Sequence, residues 1–193
     1  ATEFKKMGGD IVIDIQYQPK DIDFKAQLAE IKAKKPDVIF VPGYYSDAGN
    51  IAKQAKQIEL KATLLGGDGW DSPKLHEIGG EAINGHYFSN HYTTESTDPV
   101  VVEFIKKFKA RYNDEVPDGL AALGYDAAKI VAEAIERAAD LKPTMIRDEI
   151  AKTKDFVGVT GKISMNAERN AVKSAVVVQV DGEKRKYVTT INP

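Results

Sequence analysis

Along this chain, short runs of β-branched apolar residues alternate with longer stretches in which apolar positions recur every three or four residues. Asp10-Ile11-Val12-Ile13-Asp14-Ile15-Gln16-Tyr17 is rich in β-branched residues and predicts a strand over 10–17. After Pro19, the residues Phe24, Leu28 and Ile31 fall on one helical face, with Asp21 or Asp23 placed to cap it. Lys35-Pro36 ends that helix, and the run Asp37-Val38-Ile39-Phe40-Val41 predicts a strand buried on both faces. Ser46 or Asp47 then opens a helix through Ile51, Ala55 and Ile58, followed by the strand Ala62-Thr63-Leu64-Leu65. Strand–helix–strand–helix–strand predicts an α/β fold whose parallel sheet has right-handed crossovers. A short helix over 73–80 leads to a further strand over 85–89.

The character changes at Asn90–Pro99, a polar stretch rich in Thr, Ser and Asp. Beyond it the pattern predicts three helices: one carrying Val101, Phe104, Ile105 and Phe108, one over 120–139, and one over 144–152. Strands are predicted over 158–165, 174–180 and 185–191, the last two joined at Asp181-Gly182, a strong hairpin signal. No internal repeat and no low-complexity tract interrupts this order. At the other end, Phe4 and Met7 are spaced as on a helix, lysines follow, and Gly8-Gly9 supplies a C-cap. The start thus resembles the tail of a helix, and an upstream portion is expected to be missing.

Composition narrows the classes. The 193 residues, 42% hydrophobic, suffice for one large domain or two small ones. A net charge of −2, from 27 Lys+Arg against 29 Asp+Glu, gives no electrostatic footprint for nucleic acid. With no cysteine, disulfides, thiolate metal sites and cysteine nucleophiles are excluded. No apolar run approaches the roughly 20 residues of a membrane span, and no signal peptide is visible.

Candidate chemistry concentrates where strands give way to helices. Gly43-Tyr44-Tyr45-Ser46-Asp47 and Gly66-Gly67-Asp68-Gly69-Trp70 each follow an apolar strand, and in a parallel sheet such strand ends face a ligand crevice. Asp68 among glycines is either a carboxylate for a ligand cation or a turn aspartate bonding its own backbone. Tyr44 and Tyr45 offer hydroxyls and flat faces, or pack a sheet edge. Trp70, the only tryptophan, floors a pocket or closes a lobe surface. His76, His86 and His91 have no metal-ligand spacing, so no metal is expected. Asp68 and Asp71 could form a hydrolase pair, but Asp71-Ser72-Pro73 reads as a helix start. No Gly-x-Ser-x-Gly elbow, P-loop or Gly-x-Gly-x-x-Gly is present, so neither enzyme activity nor a cofactor is expected.

Four segments together carry a family resemblance: Pro-Asp-Val-Ile-Phe-Val-Pro-Gly-Tyr-Tyr (36–45), Leu-Leu-Gly-Gly-Asp-Gly-Trp-Asp (64–71), Ala-Leu-Gly-Tyr-Asp-Ala-Ala (122–128) and Phe-Val-Gly-Val-Thr-Gly-Lys-Ile-Ser (156–164). The chain resembles type I solute-binding proteins of ABC importers, in the leucine/isoleucine/valine-binding group, along essentially its whole length. The resemblance implies two α/β lobes linked by three crossings, with a free amino acid held between them. The N-terminal lobe would be largely missing here. It implies that 1–90 form the C-terminal ligand-binding lobe, 91–175 a returning piece of the N-terminal lobe, and 176–193 strands crossing back. Transferred by motif, Tyr44 and Asp68, 24 positions apart, receive the ligand's α-ammonium group. Asp68 stands where some members carry a glutamate, so its reach is shorter. Gly43, Tyr45, Gly67 and Trp70 complete that side, and Leu120 contacts the ligand's side chain.

The partners implied are a small aliphatic or branched-chain amino acid and the importer's membrane permease, outside the cytoplasm, in the periplasm or as a lipoprotein on the outer face of the membrane. Self-association of the truncated chain is a further expectation, because a sheet without its first strands exposes an edge. The alternative reading is a ligand-sensing receptor or regulator domain of the same fold.

Overall fold

The computed structural model describes residues 1–18 and 21–193. The chain forms two compact units: Ala1–Phe88 with Val180–Lys184, and Ser89–Gln179 with Arg185–Pro193. It therefore passes from one unit to the other at three points along the sequence.

The first unit opens with α1 (Thr2–Lys6), whose last turn carries Lys5 and Lys6. Gly8, at φ +88°, donates its N–H to Lys5 O, and the Gly9 N–H reaches Phe4 O. Both contacts satisfy carbonyls that a helix end leaves open, as the glycine signal implied. The strand expected over 10–17 does not form. Residues 11–18 alternate half-buried and exposed, as strand residues do, yet belong to no ladder. Period-two patterning selects an extended backbone, but a strand also needs a neighbour to take its hydrogen bonds.

Pro19, read as the break before the next helix, lies outside the described residues. That helix, α2 (Lys25–Lys34), buries only Leu28. Its entry is fixed by Gln54, whose side chain accepts from Phe24 N–H (2.7 Å) and donates to Ile22 O (2.8 Å). Asp23 takes one first-turn donor, Lys25 N–H, at 3.1 Å, whereas Asp21 binds the Gln18 N–H instead.

β1 (Val38–Val41), β2 (Thr63–Gly66) and β3 (Tyr87–Asn90) pair in parallel, with Val38 opposite Thr63, Val41 opposite Gly66, and Gly66 opposite Phe88. β1 is not buried on both faces as its apolar run suggested. Val38 is 40% and Phe40 65% exposed, because β1 is the outermost strand of its sheet. Between β1 and β2 runs α3 (Tyr45–Gln57), which buries Ala48, Ile51, Ala52 and Ala55 at three- and four-residue spacing. α3 starts at Tyr45, so Ser46 and Asp47 lie within its first turn and do not cap it. α4 (Lys74–Gly79) packs on α3, where Ile78 and Gly79 close against Gly49.

The second unit contains α5 (Pro99–Arg111), α6 (Gly119–Arg137) and α7 (Pro143–Ala151). Asp98 caps α5 through Val100 N–H, and Asp118 caps α6 through Ala121 N–H, both at 2.8 Å. The single strand expected over 158–165 is instead two, β4 (Phe156–Gly158) and β5 (Gly161–Met165), paired antiparallel, with β6 (Ala171–Val172) alongside β5. The break is the two-residue turn Val159-Thr160, across which Gly158 pairs with Gly161. The buried stripe of α6, Ala122, Asp126, Ile130 and Ala134, recurs every fourth residue and places a carboxylate beside that turn.

Asp126, 1% exposed, accepts from Val159 N–H, Thr160 N–H and Thr160 Oγ1, each at 2.8 Å. Those two amides belong to the turn, outside the β4–β5 ladder, and the carboxylate satisfies them. Lys173 Nζ closes the far side, donating to Thr160 O (3.0 Å) and Ser174 O (3.2 Å). Burial lowers the Lys173 pKa, and the Asp126 charge opposes that shift. Apolar side chains gather on both sides: Tyr92, Val101, Phe104 and Val159 in one cluster, Ile130, Phe156 and Ile163 in the other.

β7 (Ala175–Asp181) and β8 (Lys184–Ile191) complete the larger sheet, whose strand order is β1-β2-β3-β7-β8. The turn between β7 and β8 sets Gly182 at φ +59°, with its N–H on Asn84 Oδ1 (3.0 Å). At the entry to β3, His86 Nδ1 accepts the Leu64 N–H at 3.2 Å, so the imidazole is held neutral with its proton on Nε2. Burial lowers the His86 pKa, and a contact with the Ala82 backbone partly opposes this.

Two outcomes follow for stability. Asp126→Asn leaves an amide facing donors meant for a carboxylate and should cost about 2–4 kcal/mol in urea unfolding. A smaller change, under about 0.5 kcal/mol, means the brace carries little of the stability. For His86, the unfolded chain binds the proton more readily than the folded one, since the folded pKa lies below 6.5. Its contribution is therefore present above the unfolded value and lost as pH falls toward the folded value. Stability measured from pH 7 down to pH 5 should fall, and His86→Gln should flatten that slope.

Candidate functional site

Two turns emerge side by side from the carboxyl ends of β1 and β2. The first is Pro42-Gly43-Tyr44, leading into α3. The second is a 3-10 turn, Asp68–Trp70, preceded by Gly67. Parallel pairing brings them together, since Val41 lies opposite Gly66. They touch: a Cβ built on Gly69 would sit 2.9 Å from Gly43 O and 3.2 Å from Tyr44 Cδ1. The Tyr44 ring therefore lies against the turn that carries Asp68.

Below the two turns sits Trp70. Its side chain is fully buried, 0% exposed, its indole N–H donates to Val41 O at 3.2 Å, and its ring meets Phe88 at a centroid distance of 6.1 Å. Trp70 thus presents no open face to a ligand and supports the site from beneath. The 3-10 turn is closed by Trp70 N–H to Gly67 O (3.1 Å) and Asp71 N–H to Asp68 O (3.0 Å).

The other expected residues are placed as follows. Tyr44, at 66% exposure, and Asp68 both reach solvent. Gly43 and Gly67 are half-buried at the rim, and nothing approaches within 4 Å of a Cβ built on Gly67. Tyr45, half-buried, is the first residue of α3. Leu120 belongs to the second unit, in the first turn of α6, and is 55% exposed.

Sequence reasoning passed over Tyr17 and Asp47. Tyr17 Oη donates to Asp47 Oδ2 at 3.5 Å and stands against Gly43, 2.1 Å from where a Cβ on that glycine would fall. Burial raises the Tyr17 pKa, with the adjacent Asp47 charge adding to it, so the hydroxyl keeps its proton. The alternation of residues 11–17 was the available signal, since it puts Tyr17 on the same side as Ile11, Ile13 and Ile15.

This geometry can be compared with known proteins. The family profile described as periplasmic binding protein matches residues 1–185, and the chain belongs to that family. The leucine-binding protein LivK of Thermotoga maritima is 37% identical, with a TM-score of 0.92 over 100% of this chain and 55% of its own. LivJ of Streptococcus pneumoniae, solved in complex with isoleucine, is 34% identical, with a TM-score of 0.86 over 100% of this chain and 55% of its own. The leucine-, isoleucine-, valine-, threonine- and alanine-binding protein of Pseudomonas aeruginosa is 28% identical over 171 residues, 86% of this chain and 45% of that protein. The chain thus spans about half the length of these relatives. Its fold is that of type I periplasmic binding protein lobes.

The contact between the turns yields a test. Gly69→Ala must push its new methyl into a backbone carbonyl, which should cost about 1–3 kcal/mol and shift the amide resonances of Gly43 and Tyr44. Gly67→Ala, facing open space, is the control that should leave those resonances in place. Identical behaviour of the two variants would contradict the described packing.

Proposed function

We propose that the whole protein binds a free aliphatic amino acid, branched-chain by preference, in a cleft between two lobes and delivers it to the permease of an ABC importer. One observation carries this reading. The tyrosine and the carboxylate that the family pattern assigns to the ligand's α-ammonium group stand on two turns in mutual contact, at the carboxyl ends of adjacent parallel strands. In this reading Asp68 supplies the negative charge and Tyr44 a hydroxyl. Gly43, Gly67 and Tyr45 line the rim, Trp70 holds the floor, and Leu120 contacts the ligand's side chain. Export, to the periplasm or as a lipoprotein on the outer face of the membrane, belongs to the same reading, as does self-association through the exposed β1 edge.

The energetics require a second set of contacts. A hydrogen bond to a charged group contributes about 1.5–3 kcal/mol, and micromolar affinity needs about −8 kcal/mol. Tyr44 and Asp68 alone fall short. Groups that grip the α-carboxylate must come from outside this face, and only a closed cleft makes both sets of contacts at once. Ligand then shifts the population toward closure.

A thermal-shift panel of the twenty amino acids, run on the whole protein and on this chain alone, tests the proposal. Leucine, isoleucine or valine at a hundred-fold excess over Kd should raise the Tm of the whole protein by about 5 °C and leave that of the isolated chain unmoved. Asp68→Asn in the whole protein should weaken that binding by about 10–100-fold without altering the circular dichroism. No shift with any amino acid, or an unchanged affinity in the variant, defeats the reading.

A further inference from the structure

The C-terminal end of the chain enters the first unit for one short stretch, Val180–Lys184, which is the end of β7 and the turn into β8. Hydrogen bonds to residues 84–86 hold it there. Gly85 N–H donates to Val180 O (2.8 Å), Val180 N–H to His86 O (2.9 Å), and Gly182 N–H to Asn84 Oδ1 (3.0 Å). The other half of the Asn84 carboxamide is engaged as well, since Nδ2 donates to Glu81 Oε2 at 2.9 Å.

Asn84 and Gly85 form the one Asn-Gly pair in the chain. Asparagine is among the thermolabile side chains, and a following glycine, without a Cβ, hinders its reaction least. That reaction is intramolecular. The Gly85 amide nitrogen loses its proton and attacks Asn84 Cγ. A nitrogen–carbon bond forms, the bond from Cγ to Nδ2 breaks, and ammonia leaves with a proton taken from solvent. The five-membered imide then takes up water and opens at either carbonyl, leaving aspartate or isoaspartate; no oxidant or cofactor takes part.

The fold occupies both reacting groups. The nitrogen that must attack has its N–H on Val180 O, and the carboxamide that must be attacked is held by Gly182 and Glu81. Gly85 is itself exposed, at φ +80°, so hydrogen bonding and not burial withholds the pair. We propose that Asn84-Gly85 is a deamidation site latched by the β7–β8 turn: the two groups meet only when Val180–Lys184 lifts away, and the product then opposes its return. The new carboxylate stands beside Glu81, where the carboxamide donated, so a hydrogen bond becomes a repulsion between like charges. Isoaspartate also lengthens the main chain by one carbon next to Gly85, which upsets the bonds of residues 85 and 86 to Val180. No residue of the amino-acid site takes part.

Peptide mapping by mass spectrometry, on the full chain incubated at mildly alkaline pH in buffer or in guanidinium, measures conversion of Asn84. The denatured chain should convert, and the folded chain should do so about ten-fold or more slowly. That slowing should match, within about three-fold, the protection of the Gly85 amide from hydrogen exchange, because one opening event controls both. Gly182→Pro removes the donor to Asn84 and cannot adopt φ +59°. It should bring the folded rate to within about three-fold of the denatured one. Asn84→Asp, which makes the product directly, should lower the protection of the Gly85 and Gly182 amides. Equal rates in the folded and denatured chains overturn the proposal. So does conversion faster than the exchange protection permits, a denatured chain that does not convert, or unchanged protection in Asn84→Asp. Should Gly182→Pro fail to fold, the match between wild-type rate and wild-type protection decides.

Discussion

The Trp70 indole holds together the end of the first unit where β1 and β2 give way to their turns. Neither the Gly43–Tyr44 turn nor the Asp68–Trp70 turn has a core of its own, and both project from strands only four residues long. The indole fills the space beneath them and spends its one N–H on Val41 O, the last carbonyl of β1. A large ring with a single donor suits that position, since one end is buried among apolar groups and the other must find an acceptor. Because the ring belongs to the second turn and its acceptor to the first strand, the two turns are tied at a fixed separation. The contact of Gly69 with Gly43 and Tyr44 follows from that tie.

Three aspartates show how differently one side chain can be surrounded in this chain. Asp126 is buried and fully answered, with two backbone amides and a hydroxyl at 2.8 Å, so its charge fixes structure and is spent doing so. Asp68 stands exposed on a short turn beside a phenol, a position from which it can meet a solute. Asp47 lies between these extremes, half-buried in the first turn of α3 with long contacts to Tyr17 and Ser46. Between Asp126 and Asp47 the number and length of the donor contacts differ where the residue type does not.

The chain belongs to the periplasmic binding protein family and spans about half the length of its relatives. In the reading proposed for the whole protein, an open rim with one carboxylate and one exposed tyrosine meets only the cationic end of an amino acid. Selectivity for the whole zwitterion needs opposing groups, and these add the most when they are engaged simultaneously, which is the physical logic of closure around a ligand.

Much of this architecture was legible in the residues. The three- and four-residue spacing of Ile51, Ala55 and Ile58 marked α3, and the Gly-flanked turns after Val41 and Leu65 marked the candidate site. Both signals are local, since helix periodicity and turn chemistry are written within a few residues of where they act. The Asp181-Gly182 hairpin was readable for the same reason. What the sequence left open depended on partners far along the chain. Residues 10–17 alternate as a strand does yet find no ladder, and β1 is exposed because it is the outermost strand, a property of order in the sheet and not of composition. Asp126 looked like any polar helix residue until Val159 and Thr160, more than thirty positions away, were brought onto it. Whether Trp70 faced a ligand or the core was likewise undecided by its neighbours. Local chemistry set the elements and the turns; long-range pairing decided which faces were covered, because burial and hydrogen-bond satisfaction exist only once distant segments meet.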